Sequence, residues 1–224
     1  MPYPAHHRAS VRKRIVDSAR QLFNRHGFEG VSIGQIMAGA RLTHGGFYNY
    51  FKSKSDLYAE VLGCFLTDPE WKHCWEGITV DLTSTDAGAQ VVNAYLSRQH
   101  FDDVENACPM TVLPSDVSRS GPKVKSAFEE VFRAMVSVLE RSMRPSDGSS
   151  RVRAQAITAL CVGGMVISRA LADRDRADAL RAASQQVALQ LGGWTSRRRG
   201  KSPRGHAKAR PVASRRAVAS THQG

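Results

Sequence analysis

Small and polar side chains cluster at Thr43, His44, Gly45 and Gly46, between two short apolar stretches of the sequence. Two glycines in the first turn of a helix weaken it by roughly 1 kcal/mol each relative to alanine, so packing alone does not explain them. Without side chains, however, the backbone can approach a groove floor or an anion closely, and the first amides of a helix point toward that anion. The chemistry that this stretch favours is therefore contact with a phosphate-bearing surface.

Two short helices must position this stretch. Ser32 and Gln35 fit the Ser-x-x-Gln capping box, which predicts a helix that begins at Ser32. Thr43 fits the cap of a second helix. Three aromatic side chains would anchor that helix from behind: Phe47, Tyr50 and Phe51. The pattern predicts a helix-turn-helix over about 32–51, and the alternative is a Gly-rich loop followed by an aromatic core cluster.

Further helices are predicted on both sides. Apolar residues at helical spacing predict one amphipathic helix over 10–26, with Gly27 as its C-cap. Ser53 and Asp56 form a second capping box and open the next helix. Lys52 and Lys54 lie at its start, where they could hold a nucleic-acid backbone.

The charge of the chain is divided by region. The 224 residues carry a formal net charge of +12, and residues 1–58 hold nine Lys and Arg against three Asp and Glu. Residues 59–194 hold fourteen against seventeen, and residues 195–224 hold nine against none. A basic segment that carries a helix-turn-helix is typical of a DNA-binding module, whereas the acidic middle should have another role.

Composition excludes several other classes of protein. No apolar run approaches the roughly 20 residues of a membrane span, and the N-terminus lacks the apolar segment of a secretory signal, so we expect a soluble cytoplasmic protein with no membrane partner. The four cysteines are widely scattered, which predicts reduced thiols rather than disulfides or a zinc site. No metal site and no cofactor are predicted.

The segment RKRIVDSARQLFNRHGFEGVSIGQIMAGARLTHGGFYNYFKSKSDLYAEVL, about residues 12–62, resembles the DNA-binding domain of the TetR family of bacterial transcriptional regulators. The resemblance includes the pattern Tyr-x-x-Phe-x-x-Lys-x-x-Leu at Tyr48, Phe51, Lys54 and Leu57. It implies an all-α homodimer: a three-helix N-terminal helix-turn-helix domain plus a helical C-terminal ligand-binding and dimerisation domain. One departure is Arg41, because the family commonly has Gly in that turn; a positive φ there would cost Arg about 1 kcal/mol.

The resemblance and the local pattern together give the predicted DNA-binding residues. By the resemblance, Thr43, His44 and Gly45 fall where bases or adjacent backbone are contacted, and Tyr48, Tyr50 and Lys54 fall where phosphates are held. The full set is Ser32, Gln35, Arg41, Thr43, His44, Gly45, Gly46, Tyr48, Asn49, Tyr50, Lys52 and Lys54. The implied function is a sequence-specific regulator of transcription, a dimeric repressor that an unknown small-molecule inducer releases from double-stranded operator DNA.

A Cys-Pro segment at Cys108-Pro109 resembles one found in the regulatory domain of a subset of the family. Pro109 suits the first turn of a helix, which would place the Cys108 sulfur near a helix N-terminus and favour its reactive thiolate. An electrophile- or redox-sensing repressor is therefore an alternative. Nearby acidic residues oppose a thiolate, and a buried, inert thiol is the simpler interpretation.

Two other classes of function are weighed against a regulator. Cys108 with His100 would supply an enzyme with a nucleophile and a base, but no orienting third group or cofactor fingerprint accompanies them, so no catalytic residues are predicted. A non-specific DNA-coating protein, driven by the two basic ends, is the remaining alternative.

The acidic middle is predicted to supply a pocket and a dimer interface. Bulky residues on its helices are the candidate ligand contacts: Trp71, Trp75, Phe101, Cys108, Met110, Phe128, Phe132 and Met165. The helix from about residue 150 to 172 is apolar on two sides, so its second side needs a partner. The predicted dimer residues are Ala156, Leu160, Gly163, Ile167, Leu180, Val187 and Leu191.

The expected organisation has four parts. Residues 1–9 would be a disordered arm, 10–58 the DNA-binding domain, 59–194 the regulatory and dimerisation domain, and 195–224 a disordered basic tail. Because the tail is a polycation, we expect it to add sequence-independent DNA affinity if it reaches DNA.

Overall fold

The computed structural model describes residues 5–67, 78–143 and 149–195, and every regular element in these ranges is helical. The N-terminal part contains α1 (Ala5–His26), α2 (Ile33–Gly39), a 3-10 helix (His44–Asn49) and α3 (Lys54–Thr67). The remaining helices are α4 (Ala87–Tyr95), α5 (Arg98–Asp102), α6 (Pro109–Val112), α7 (Pro114–Arg119), α8 (Pro122–Arg141), α9 (Ser150–Ala170) and α10 (Arg174–Gly192). The all-α prediction is confirmed.

The buried apolar residues form two clusters. The first joins α1, α2, the 3-10 helix and α3, and it also takes in Leu113, Val117 and Val124 from further along the chain. The second joins α4, α6, α8, α9 and α10. The domain boundary expected between residues 58 and 59 falls inside α3 (Lys54–Thr67). Beyond that position Leu62, at 0% exposure, still belongs to the first cluster.

Two helix boundaries differ from the sequence-based expectation. Helix α1 begins at Ala5, inside the expected arm of residues 1–9. The apolar spacing of Val92, Tyr95 and Leu96 predicts one helix over 86–100, but the structure has two. Ser97 is in an extended conformation (φ −67°, ψ 162°), and its side chain accepts the N–H of His100 at 3.1 Å to cap α5. The predicted pocket residues Trp71 and Trp75, and residues 196–224 of the predicted tail, lie outside the described residues.

Trp194 closes the end of the helical bundle where α4 begins and α8 and α10 end. Its indole Nε1 donates to the main-chain oxygen of Ser142 at 3.0 Å. Glycine is required beneath the ring, since a Cβ at Gly88 or Gly192 would lie 2.2 or 2.1 Å from ring atoms. Gly88 in turn donates its N–H to the Ser142 hydroxyl at 2.9 Å, which ties α4 to the end of α8.

None of the helices in the described ranges combines the length and apolar character needed to cross a membrane. The same ranges contain no group of three or more His, Cys, Asp or Glu side chains that could hold a metal ion.

Candidate nucleic-acid interface

The stretch that contains the two glycines forms a six-residue 3-10 helix rather than the expected α-helix. Thr43 has the extended conformation of an N-cap (φ −78°, ψ 147°), but its side chain makes no capping hydrogen bond, so that part of the prediction is wrong. The helix is held from behind as predicted. Phe47 and Phe51 are buried, with their rings stacked at a centroid distance of 5.6 Å.

The fold does not need glycine at the exposed edge of this helix. A Cβ added at Gly45 would meet nothing within 4 Å, and one added at Gly46 would make ordinary contacts with Met37 and Thr43 at 3.6 and 3.8 Å. The backbone at neither position adopts a positive φ. Because glycine lowers helix stability there without a packing reason, its presence is explained better by close approach of something outside the chain.

Helix α2 begins with the predicted capping box. The Ser32 hydroxyl accepts the Gln35 N–H at 3.2 Å, and the Gln35 side-chain oxygen accepts the Ser32 N–H at 2.7 Å. Both residues are exposed, as is His44, whose ring lies 3.6 Å from the position of a Cβ on Gly34. The start of α2 and the start of the 3-10 helix therefore share one surface.

The other predicted DNA contacts differ in their surroundings. Arg41 is exposed and adopts the positive φ that its turn was suspected to require (φ 56°). The Lys54 ammonium lies over the Phe28 ring, 4.2 Å from the centroid, so part of its charge already interacts with the protein. The exposed members of the set are Ser32, Gln35, Arg41, Thr43, His44, Gly45, Tyr48, Asn49 and Lys52, whereas Gly46, Tyr50 and Lys54 are partly buried.

Sequence reasoning missed the polar side chains of α1 that satisfy the ends of both short helices. Ser18 donates to the main-chain oxygen of Ile36 at 2.9 Å, and Arg14 donates to that of Ala40 at the end of α2. Arg8 and Arg12 make corresponding bonds at the end of the 3-10 helix. The oxygen of Ile36 also accepts the N–H of Ala40 at 3.0 Å. The oxygens of Ala40, Asn49 and Tyr50 lie at the helix ends, where the next turn that would supply a backbone N–H is missing, so α1 supplies the donors. The run of cations along α1 is the only sequence signal of this role.

A polar contact joins α1 to the segment before α6. The buried side-chain amide of Asn24 donates to the main-chain oxygens of Glu105 and Ala107 at 3.0 and 3.1 Å. Arg20 donates to the side-chain oxygen of Asn106 at 2.5 Å, and Arg25 pairs with the Glu105 carboxylate. A displacement of residues 105–107 would therefore reach α1 directly.

Cys108 and His100 lie together but not as a nucleophile and its base. The ring Nε2 of His100 accepts the main-chain N–H of Cys108 at 3.3 Å, and Nδ1 lies 2.6 Å from the oxygen of Tyr95. Burial lowers the pKa of His100 to about 3. Cys108 is itself only 1% exposed. A ring that both accepts a backbone bond and resists protonation is poorly placed to take up a thiol proton.

The described members of the predicted pocket belong to the second core cluster. Cys108, Met110 and Met165 are buried there, and Phe101, Phe128 and Phe132 pack against it while partly exposed. Two surface clefts are described, one between α1, the end of α2 and Glu105 and one beside Trp194, and neither is lined by these residues. Their role as ligand contacts stays a prediction.

Helix α9 has one buried and one exposed apolar side, as its sequence pattern indicated. Ile157, Cys161 and Met165 are buried, and burial raises the pKa of the Cys161 thiol to about 12. On the other side Ile167 is 54% exposed, and Val187 of α10 is 43% exposed. Of the remaining predicted dimer residues, Ala156 is exposed, and Leu160, Gly163, Leu180 and Leu191 are partly exposed.

Known proteins resemble the chain at two levels. A family model described as "Bacterial regulatory proteins, tetR family" matches residues 15–61. The "HTH-type transcriptional repressor DhaR" of Mycobacterium sp. (strain GP1) is 36% identical over 61 residues, which are 27% of this chain and 31% of that protein. The curated relatives are thus matched over only about a quarter to a third of their length.

Solved structures resemble nearly the whole described fold. The reduced form of E. coli NemR gives a TM-score of 0.63 at 16% identity and covers 81% of this chain and 96% of its own. FadR from Bacillus subtilis in complex with stearoyl-CoA gives 0.59 at 18% identity and covers 82% and 98%. At these identities the similarity establishes the arrangement of the helices.

Proposed function

We infer that this chain, whose N-terminal domain belongs to the TetR family of bacterial regulatory proteins, is a sequence-specific DNA-binding regulator of transcription and not an enzyme. The observation that carries the inference is the exposed edge of the 3-10 helix, where Gly45 and Gly46 serve no packing need of the fold. Glycine at this edge allows the backbone to approach the floor of a groove, while the exposed side chains of Ser32, Arg41 and Tyr48 are hydrogen-bond donors for phosphates.

We further propose a dimeric repressor. The exposed apolar side of α9 and α10 supports an interface between two copies, because a surface helix needs only one apolar side in a monomer. A two-fold dimer would place two 3-10 helices in successive major grooves, about 34 Å apart. The relative DhaR is named a repressor, which favours repression over activation here.

Release by a small molecule is the third part of the proposal. FadR, with a similar fold, has been solved with stearoyl-CoA, which supports a ligand-binding role for residues 59–194. The bonds of Asn24 to Glu105 and Ala107 offer a route by which a ligand-induced shift would reach α1. Ligand binding and operator binding would then favour different positions of the same helices.

The test begins with selection of bound duplexes from a random DNA pool, followed by affinity measurements on the selected operator. Gly45→Ala should weaken operator binding about tenfold or more, because a methyl group would stand at the approached surface, while stability stays equal or rises by up to about 1 kcal/mol. Gly63→Ala is the matched control. Gly63 also lies in a helix with nothing within 4 Å of an added Cβ, so stability should rise with no change in DNA binding.

Either of two results would contradict the proposal. Wild-type protein that binds selected and random duplex equally at fixed salt would be a non-specific DNA-coating protein instead. Gly45→Ala with unchanged operator affinity would remove the 3-10 helix from the interface.

The burial of Cys108 argues against the alternative of electrophile sensing through this thiol. Intact mass after treatment with diamide or an enal should show no adduct that disappears in Cys108→Ser. An adduct that does disappear in this variant, and that releases the operator, would revive the alternative.

A further inference from the structure

The 3-10 helix cannot fix its own orientation. It has six residues, its N-cap residue Thr43 makes no side-chain capping hydrogen bond, and its last main-chain oxygens have no partners within the helix. Two arginines of α1 bind those oxygens. Arg8 donates to Asn49 at 3.0 Å, and Arg12 donates through Nη1 to Tyr50 at 2.6 Å. The C-terminal end of the 3-10 helix, the helix that would enter DNA, is therefore hydrogen-bonded to α1.

Arg12 is itself held by a carboxylate from a third helix. Its Nε donates to Oε1 of Glu60 at 2.7 Å and its Nη2 to Oε2, which is the parallel two-bond geometry of a guanidinium and a carboxylate. The guanidinium also lies over the Phe51 ring, 4.2 Å from the centroid. One side chain thus joins α1, the end of the 3-10 helix and α3, the helix that crosses from the first core toward the rest of the chain.

We propose that the Arg12–Glu60 pair positions the 3-10 helix for operator binding and that Glu60 acts on DNA only through Arg12. This role rests on the proposed function. A lysine at position 12 would keep the charge but could not bind Tyr50 and both Glu60 oxygens in one plane, so the guanidinium fork is the feature that matters.

A competing role for Arg12 is direct contact with a DNA phosphate, since its side chain is 40% exposed and that of Glu60 is 30% exposed. The two roles predict opposite effects of neutralising Glu60. If only charge matters, Glu60→Gln removes a repulsive carboxylate and DNA binding tightens. If Glu60 positions Arg12, the same change weakens operator binding although it removes negative charge.

The experiment measures affinity for the selected operator and for random duplex over a range of salt concentrations, with wild type, Glu60→Gln, Arg12→Lys and the double variant. We expect each single variant to lose about tenfold or more in operator affinity, with random-duplex affinity unchanged or higher. The double variant should lose no more operator affinity than the weaker-binding single variant, because both changes break the same Arg12–Glu60 pair. Operator salt slopes should stay at the wild-type value, since no phosphate contact is removed.

Asp17→Asn is the matched control, because Asp17 is a partly exposed carboxylate that pairs with Lys13 within α1 and has no bond to the 3-10 helix among its described contacts. It should leave the ratio of operator to random-duplex affinity unchanged. Thermal unfolding of each variant identifies a temperature at which all of them are fully folded. At that temperature, a change that only lowers stability would leave the ratio of operator to random-duplex affinity unchanged.

Glu60→Gln with operator affinity equal to or above wild type would overturn the inference, as would additive losses in the double variant. These outcomes differ from failure of the proposed function, in which wild type itself would show no operator preference.

Discussion

The Asp116 carboxylate accepts the main-chain N–H of Phe28 at 2.8 Å, so that a side chain of α7 caps the turn that follows α1. The preceding residue, Gly27, has a left-handed conformation (φ 74°), and a Cβ there would lie 3.0 Å from the same carboxylate oxygen. The end of α1 and helix α7 therefore meet in one tight polar contact.

Replacing Gly27 tests this contact. We expect Gly27→Ala to lower the free energy of unfolding by about 1–2 kcal/mol, because an L-residue is strained at this φ and its Cβ crowds Asp116. Urea unfolding of the variant gives the value directly. Combination with Asp116→Ala should relieve the crowding but not the backbone strain. A Gly27→Ala protein as stable as wild type would show that the turn has another conformation in solution.

Arg41 separates backbone strain from charge. Arg41→Gly and Arg41→Asn should each stabilise the protein, by up to about 1 kcal/mol for Gly, because both residues tolerate φ 56°. If the guanidinium holds a phosphate, both variants should also lower the salt slope of operator binding by about 0.9. Arg41→Lys, which keeps the charge and the strain, should change neither quantity. A slope unchanged in the Gly variant would assign Arg41 to the turn alone.

His100 should make stability depend on pH. Its pKa is about 3 in the folded protein against about 6.5 in an unfolded chain, so the unfolded state binds the extra proton between these values. Its contribution to stability is therefore present above pH 6.5 and is lost as pH falls toward 3, with a slope of up to about 1.4 kcal/mol per pH unit.

Urea unfolding between pH 7 and pH 4 checks this expectation. His100→Gln should flatten the profile, because it removes the buried ring whose pKa is lowered in the folded protein. Identical profiles for wild type and His100→Gln would mean that folding does not lower the pKa of His100.

The exposed side of α9 and α10 gives a prediction about assembly. Ile167→Glu and Val187→Glu should each convert a dimer to monomer at micromolar concentration in sedimentation experiments, because a charge would be buried at the interface. Operator affinity should fall in the variants that no longer dimerise. Leu82→Glu, at a site 47% exposed outside these two helices, is the control. A wild-type monomer at this concentration would contradict the interface.

Local sequence signals predicted the elements whose causes are local. The capping box at Ser32, the C-cap at Gly27 and the helix start at Pro109 are all found in the structure. The sequence did not predict that the helix over His44–Asn49 is a 3-10 helix. The helix type depends on how the aromatic residues behind it pack, and propensity does not report such packing.

The hydrogen bonds of Arg12 to Glu60 and Tyr50 could not be predicted either. Its partners are 38 and 48 residues from Arg12 in the chain, and a solvated arginine on α1 has the same sequence pattern. The predicted base contacts rested on the glycine pattern and the family resemblance, and they stay a prediction, whereas the groups that position the 3-10 helix are visible only in the packed structure.

The position of Trp194 limits how far the following basic segment can extend. Trp194 is bonded to Ser142 at the end of α8, whereas Lys123 at the other end of α8 pairs with Asp56 of α3, and this 20-residue helix is about 30 Å long. Residues 195–201, even fully extended, span at most about 25 Å. Because this span is less than the length of α8, any contribution of the tail to DNA binding at the Asp56 end of α3 comes from residues beyond Lys201.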